Sequence, residues 1–500
     1  MLTENKERNT IMTNKKILSA LLAAILLATV SCGGTASGGN ETTPSAATDS
    51  GTTTEETAAP DPLSSLRKED FGGRAYTMLG VSDSSMSALA PNELNATEVN
   101  GDIVNDTVYN RNRKIEDIYN VKITAETKPG GEIVSLVKSS VLAGDCPYDL
   151  VWPAMSGGST LATSGVLANF YDFKDIDLTA EWWNQRATEQ LTVNGQCYLQ
   201  LNYIPYTGML FTHCMFYNHR LAEKYLTESM YDLVRNGKWT IDKFLEVTEN
   251  ATQDINGDSV YDENDNYGFM ASFGSVGIFT YSCDQDMVSV SKDGEVKIEI
   301  YTEKMQDIVE KVNKLCYEGN RSYVKGVNKE ADIAKMFANG QSLFYAGFLS
   351  DALLYFRDMK DDYGMLPFPK YDENQEHYYT SVSGGTGMLG IPLTVADPDF
   401  TGLITEALAI ESYNSVRPAI YETVMENKLL RDEDSVEMYE TLLDGIRVEF
   451  AVVYHSSNSD IPFTLWNLTE KKSTDLASYI NSRGPKALAA YQKIVDAWYE

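Results

Sequence analysis

Apolar side chains fall into two alternating spacings between residues 74 and 152. Residues 74–80 (RAYTMLG) predict a short strand. Ile103, Val104, Thr107, Val108, Arg111, Ile115 and Ile118 then recur at helical spacing, which predicts an amphipathic helix ending near Tyr119. Residues 121–124 (VKIT) predict a second strand, 132–142 a helix stopped by Gly144, and 148–152 (YDLVW) a third strand. Strand, helix, strand, helix, strand at this spacing signals βαβ units and a parallel sheet.

The pattern continues less regularly. Asn194-Gly195 between β-prone flanks predicts a hairpin, 211–218 a strand, and 241–252 a helix behind Trp239-Thr240. Helical spacing returns over 303–317, 331–338 and 348–360. A last helix is expected from Pro485, with Leu488, Tyr491, Val495 and Trp498 on one face. No internal repeat emerges, so the expectation is a mixed α/β chain in two lobes.

The N-terminus follows a different pattern. Lys15 and Lys16 precede an apolar run over 17–30 that stops at Ser31-Cys32-Gly33-Gly34. The run is shorter than the roughly 20 residues a membrane-spanning helix needs. It reads as a signal peptide, residues 1–31, that ends at a lipid-acceptor cysteine, Cys32. Thr29 stands where such lipoboxes favour an aliphatic residue, so cleavage without lipidation is the alternative. Met12 is an alternative start, because Lys15 and Lys16 lie close to the run. Residues 32–62 are Gly, Ser, Thr, Ala, Glu and Pro with few large apolar side chains, a composition that cannot offset its ordering entropy. They are expected to form a tether, which places the protein outside the cytoplasm, anchored to the cell membrane by lipid.

The remainder is long enough for at least two cores. A net charge of −31 disfavours nucleic acid and anionic membrane surfaces as partners. Beyond Cys32, five cysteines at wide spacings hold no C-x-x-C pair. Free buried thiols are expected for most, with Cys197 and Cys214 the one pair considered for a disulfide.

The sharpest local motif is DINGDSVYDEND, residues 254–265. Side-chain oxygens of Asp254, Asn256, Asp258, Asp262 and Asp265, with the carbonyl of Val260, match the spacing that wraps a hard cation. A structural Ca2+ is the expected cofactor, although Ser259 replaces the usual glycine and Asp265 the usual glutamate. Gly385-Thr-Gly387-Met-Leu-Gly390 satisfies G-x-G-x-x-G, but Ile391-Pro392 follows where a nucleotide site needs a helix. These glycines are expected instead to let a backbone approach a ligand or a strand closely. The chain lacks H-E-x-x-H, G-x-S-x-G and Walker patterns, and its four histidines have no metal-ligand spacing. Aromatic residues are the remaining lead. Trp152, Trp182, Trp183, Trp239 and Trp466 offer flat faces with polar edges suited to sugar rings. Trp182 and Trp183 are adjacent, so on a regular element they face different ways and one is expected at the surface or a lobe junction.

Several phrases, in order, resemble the extracellular solute-binding proteins of bacterial ABC importers, the family that includes maltose-binding protein. They are NDTVYNRNRKIEDIYNVKIT (105–124), AGDCPYDLV (143–151), EWWNQ (181–185), FYNHRLAEKY (216–225), GKWTIDKF (237–244), the acidic loop with its YGF exit, FANGQSLFYAG (337–347) and DYGMLPFPKYDENQEHYY (362–379). The resemblance implies a type II periplasmic-binding-protein fold, two α/β lobes with a ligand cleft between them, and presentation of the bound solute to ABC permease subunits. It implies a first lobe mainly over 63–175, a second mainly over 176–330, and a return with helices crossing between lobes over 331–500. Carbohydrate is the implied cargo, a mono- or oligosaccharide, in a monomer without catalytic activity. Position in that fold, with the aromatics, nominates Trp152, Trp182, Trp183, Tyr345, Gly384 and Trp466 as ligand contacts. A surface glycan hydrolase, which needs only two carboxylates, and a peptide-binding protein of the same fold are the competing readings.

Overall fold

The computed structural model describes residues 61–82, 89–426, 433–455 and 460–499. The signal segment, Cys32 and nearly all of the tether lie outside the described residues. Among the described residues no helix is long and apolar enough to cross a membrane.

The first sheet is parallel and matches the βαβ expectation. β1 (Arg74–Val81), β2 (Val121–Lys128) and β3 (Leu150–Trp152) lie in the order β2-β1-β3. β1 pairs with β2 from Arg74↔Val121 to Val81↔Lys128, and with β3 from Met78↔Leu150 to Gly80↔Trp152. The helix Ile103–Tyr119 begins where the Asp102 side chain accepts from Asn105 N and ends at Asn120 in the left-handed region. Its buried Val104, Val108, Ile115 and Tyr119 are the apolar stripe seen in the sequence. Each such residue contributes on the order of 1.5–3 kcal/mol by leaving water. The helix Gly130–Ala143 stops at Gly144, φ 72°, which donates to Ser140 and Val141 carbonyls. The helix Pro398–Glu411 also packs here, with Phe400 edge-on to Phe71 and Thr405 bonded to Tyr76 Oη at 2.7 Å.

The later strands are β4 (His213–Asn218), β5 (Tyr267–Ser272), the hairpin β6 (Val288–Val290) and β7 (Val296–Ile298), then β8 (Ser322–Lys325), β9 (Ser342–Phe348) and β10 (Tyr363–Leu366). All but the hairpin form a second sheet in the order β10-β4-β9-β5-β8. β4 is antiparallel to both neighbours, whereas β9, β5 and β8 are mutually parallel. Its core is aromatic: Phe216, Phe337, Tyr345, Phe356 and Tyr363 meet with ring centroids 5.1–6.4 Å apart.

Three expected boundaries shift. β9 and β10 belong to the second sheet although they lie beyond residue 330, and residues 183–202 stay beside the first, where Gln200 bridges Leu389. The 348–360 segment is helical only over Leu349–Leu354, because its first residue ends β9. The last helix spans Leu476–Tyr499 with Pro485 inside it. Its buried Leu476, Tyr479, Ile480, Ala487, Tyr491, Val495 and Trp498 hold it together across the missing Pro N–H, while Leu488 faces solvent. The Asn194-Gly195 hairpin is present, with positive φ at both residues and Val193 and Gln196 exchanging backbone bonds.

Between the sheets three chain segments lie side by side. Thr212 bridges Val382, and β11 (Thr380–Ser381) pairs in parallel with β12 (Ile446–Arg447). Ser383 N donates to Phe211 O at 2.8 Å, and Thr380 N to Gly445 O at 2.9 Å.

Candidate ligand site

The order β2-β1-β3 puts β2 and β3 on opposite sides of β1, which makes the carboxyl ends of β1 and β3 the switch point of the sheet. Ligands of open α/β sheets bind at such switch points. Here β3 ends in Trp152, which is 3% exposed. Residues 387–390 add an antiparallel strand beside it: Val151 and Gly390 exchange bonds at 2.9 Å, and Met388 N donates to Pro153 O. The indole lies flush on that strand, since a Cβ on Gly387 would sit 2.1 Å from Trp152 Nε1. A Cβ on Gly390 would meet Leu167 at 2.9 Å. The G-x-G-x-x-G glycines therefore admit a neighbouring strand and ring, as expected. Trp152 Nε1–H has no acceptor among the described residues.

Glu93 and Leu94, which follow β1 in the chain, reach the same point. Leu94 lies against Gly80, and Glu93 Oε2 accepts from both the N–H and the hydroxyl of Thr207, at 3.1 and 3.0 Å. Thr207 opens the short helix Thr207–Leu210 on the first passage between sheets. Burial pushes the Glu93 carboxyl up to about 8, against the pull of the Thr207 bonds and of Arg111.

The second sheet presents its own strand ends to the passage. His213 opens β4 with its ring 4.3 Å from that of Phe348, at the end of β9, and Phe211 packs edge-on to Phe348. His213 Nδ1 and Ser350 Oγ are buried without partners among the described residues. Burial holds the imidazole neutral by pushing its pKa down to about 3. Asp351 caps the helix Leu349–Leu354 and accepts from Phe348 N and Tyr345 Oη at 2.8 and 2.7 Å; burial pushes it up to about 7. Trp466 is half-buried, edge-on to Phe463 and beside Gly277, in the helix that leaves β5. At the third segment, Arg447 binds Asp284, Asp286 and Glu449 at 2.5, 2.7 and 2.5 Å. Its guanidinium and that of Arg186 both lie over the Tyr379 ring.

The six nominated contacts do not share one environment. Trp152 is at the switch point, Gly384 is exposed on the second segment with open space about it, and Trp466 lies beside Gly277 at the end of the helix Phe273–Gly277 that follows β5. Trp182 and Trp183 occupy an irregular segment and both donate to one carboxylate, Glu406, at 2.7 and 2.9 Å. The helical or strand geometry that would have turned them apart is absent. Trp182 remains half-buried, Trp183 is 1% exposed, and burial raises Glu406 to about 7. Tyr345 is 2% exposed in the aromatic core, its hydroxyl spent on Asp351. Glu93, Ser350 and Arg447 belong to no motif in the sequence, and His213 enters it only as one of four histidines without metal-ligand spacing.

In the acidic loop, Asp254 accepts from Gly257 and Ser259 N, Asn256 from Asp258 N, Asp258 from Val260 N, and Asp262 from Asn264 N. Buried Asp265 closes the loop through Ile255 and Asp262 N. Among the described residues no three His, Cys, Asp or Glu side chains form a metal-binding group. Any fit to an ion thus leans on the Asn256 side chain and the Val260 carbonyl as well. Cys146, Cys197, Cys214, Cys283 and Cys316 are all free thiols, so Cys197 and Cys214 form no disulfide.

Residues 113–401, more than half of the chain, match the family model for bacterial extracellular solute-binding proteins. The chain belongs to that family. Its members bind solutes outside the cytoplasm, and the α/β fold expected from the sequence is the one found. Among solved structures, a cyclo/maltodextrin-binding protein complexed with maltotetraose aligns over 86% of this chain and 98% of its own, at 12% identity and a TM-score of 0.53. The GacH receptor of Streptomyces glaucescens aligns over 85% and 97% at 12% identity, TM-score 0.50. An ABC transporter solute-binding protein of Thermotoga lettingae, bound with α-D-tagatose, aligns over 85% and 100% at 16% identity, TM-score 0.50. At these identities the likeness is one of fold. No curated protein sequence matches the chain.

Proposed function

We propose that this solute-binding protein captures a neutral mono- or oligosaccharide between its lobes and delivers it to an ABC permease, held at the membrane by lipid on Cys32 and without turning its cargo over. The observation that carries the carbohydrate reading is the unpartnered Trp152 indole N–H at the β1/β3 switch point, a buried donor with an apolar ring. Half-buried Phe348 at the end of β9, and half-buried Trp466 beside the helix that follows β5, add apolar faces on the side of the second sheet. The fold neighbours were solved with maltotetraose, acarbose and α-D-tagatose, which supports the same class. Within the nominated set we assign contact to Trp152, Gly384 and Trp466.

Calorimetric titration with neutral oligosaccharides tests the proposal. One of them is expected to bind in the micromolar range or tighter and to be recovered unchanged. Tight peptide capture with no sugar response overturns the cargo, and turnover at catalytic amounts overturns the binding-only role. For residues 254–265 we propose a structural Ca2+, supported by the spacing of six oxygen ligands and by positive φ at Gly257 and Ser259.

A further inference from the structure

We propose that Glu93 is a specificity-determining residue of this site, its second carboxyl oxygen reading a hydroxyl of a neutral solute and its surroundings disfavouring an acidic one. The inference rests on the carbohydrate reading above.

Glu93 and Trp152 belong to one closed circuit of contacts. Leu94 lies on Gly80, Gly80 against Trp152, Trp152 on Gly387, Thr386 against Gly208, and Thr207 donates twice to Glu93. Within that circuit two buried polar atoms are unpartnered among the described residues, Trp152 Nε1 and Glu93 Oε1. A carboxyl kept only to tie the loop to the first passage would need one oxygen, and Oε2 already takes both Thr207 bonds. Glu93 is 3% exposed, so its other oxygen is also out of reach of bulk solvent.

The surroundings decide which solute group fits. Arg111, on the helix Ile103–Tyr119, spends its five N–H groups on Asn112, Ile204 O, Ser412, Glu93 O and Leu94 O. It positions the Glu93 backbone and has no donor left for a solute carboxylate. The other ionisable groups facing this pair are Tyr206 on the passage and Glu411 on Pro398–Glu411, the latter bonded to Lys114. With burial raising the carboxyl to about 8, Glu93 is protonated at neutral pH. A neutral acid donates one hydrogen bond and accepts another, as a sugar hydroxyl does.

Calorimetry from pH 5.5 to 9.5 with maltotriose, cellobiose and xylobiose, and with digalacturonic acid as the charged probe, tests this. A neutral sugar is expected to bind with constant affinity up to pH 7 and to weaken by up to about tenfold per pH unit above 8. Digalacturonic acid should bind at least about tenfold more weakly than the best neutral sugar. E93Q should abolish the alkaline loss, and W152F should keep it while weakening binding by roughly 3–10-fold. Should E93Q fold poorly, Thr207→Val, which deletes one bond to Oε2, should move the midpoint to higher pH. An alkaline loss retained in E93Q, a midpoint unmoved in Thr207→Val, or equal binding of the acidic probe overturns this inference alone. Binding of no sugar at any pH overturns the functional reading and this inference with it.

Discussion

Replacing Gly387 by alanine puts a methyl carbon 2.1 Å from Trp152 Nε1, 2.3 Å from Cε2 and 2.8 Å from Cδ1. Neither partner can give way freely. The 386–390 backbone is fastened by Met155 N to Thr386 O, Met388 N to Pro153 O and the paired Val151–Gly390 bonds, all 2.9–3.0 Å. The indole also meets Gly80 through Cε3, with Leu94 packed on that glycine. If the strand yields, the cost is that of overpacking, about 1–3 kcal/mol. If the ring is expelled, it approaches the roughly 3–5 kcal/mol of losing a buried tryptophan. Gly387→Ala should therefore lose about 3 kcal/mol in urea unfolding and abolish solute binding. Gly384→Ala, three residues earlier with nothing within 4 Å of its Cβ, should stay within about 0.5 kcal/mol of wild type. Combining Gly387→Ala with Trp152→Ala separates steric conflict from a general intolerance of the strand. In that background the alanine should cost at least about 1 kcal/mol less. Equal costs in both backgrounds would refute the indole-on-glycine account.

Stability should also follow pH with a definite sign. Burial raises Glu93 to about 8 and Glu406, Glu449 and Asp351 to about 7, so the stability tied to their neutral forms is complete at acid pH and lost as pH rises through 7–8. His213, pushed down to about 3, acts oppositely: its contribution is present above the ordinary imidazole value and is lost as pH falls towards 3. Thermal unfolding should thus be highest near pH 4–5, where the four acids outweigh the one imidazole, and at least about 5 °C lower at pH 8.5, a flat profile counting against the buried acids. Glu406→Leu strands two indole N–H groups and should cost about 2–4 kcal/mol by urea titration, whereas a cost under about 0.5 would deny Glu406 its role. Chelation should lower the melting temperature and Ca2+ restore it; indifference to both removes the ion from residues 254–265. Labelled palmitate should attach to wild type expressed in a bacterial host and not to Cys32→Ala, while attachment to both would place the lipid elsewhere.

What the sequence made legible was periodic. The helix Ile103–Tyr119 follows from a stripe of apolar residues, and the first sheet from three short β-prone runs at βαβ spacing. Sheet membership was less legible, because β9 finds β4 and β5 by pairing across well over a hundred and some seventy residues respectively, and nothing local distinguishes such a strand from a return to the first sheet. The polar half of the site was least legible of all. A carboxylate's role depends on what it meets, and Glu406 meets indoles more than two hundred residues earlier in the chain.

That dependence separates Trp152, proposed above as a ligand contact, from Trp182 and Trp183. All three are bulky rings with one N–H, and burial asks each N–H for an acceptor. Chain geometry brings Glu406 to Trp182 and Trp183, so their demand is met within the first lobe. Trp152 lies instead against glycines, whose missing side chains let its ring in and supply it no acceptor. The glycine motif and the orphaned indole are therefore one feature: the strand that admits the ring leaves its N–H without an acceptor among the described residues, and that donor is the one the proposed solute would satisfy.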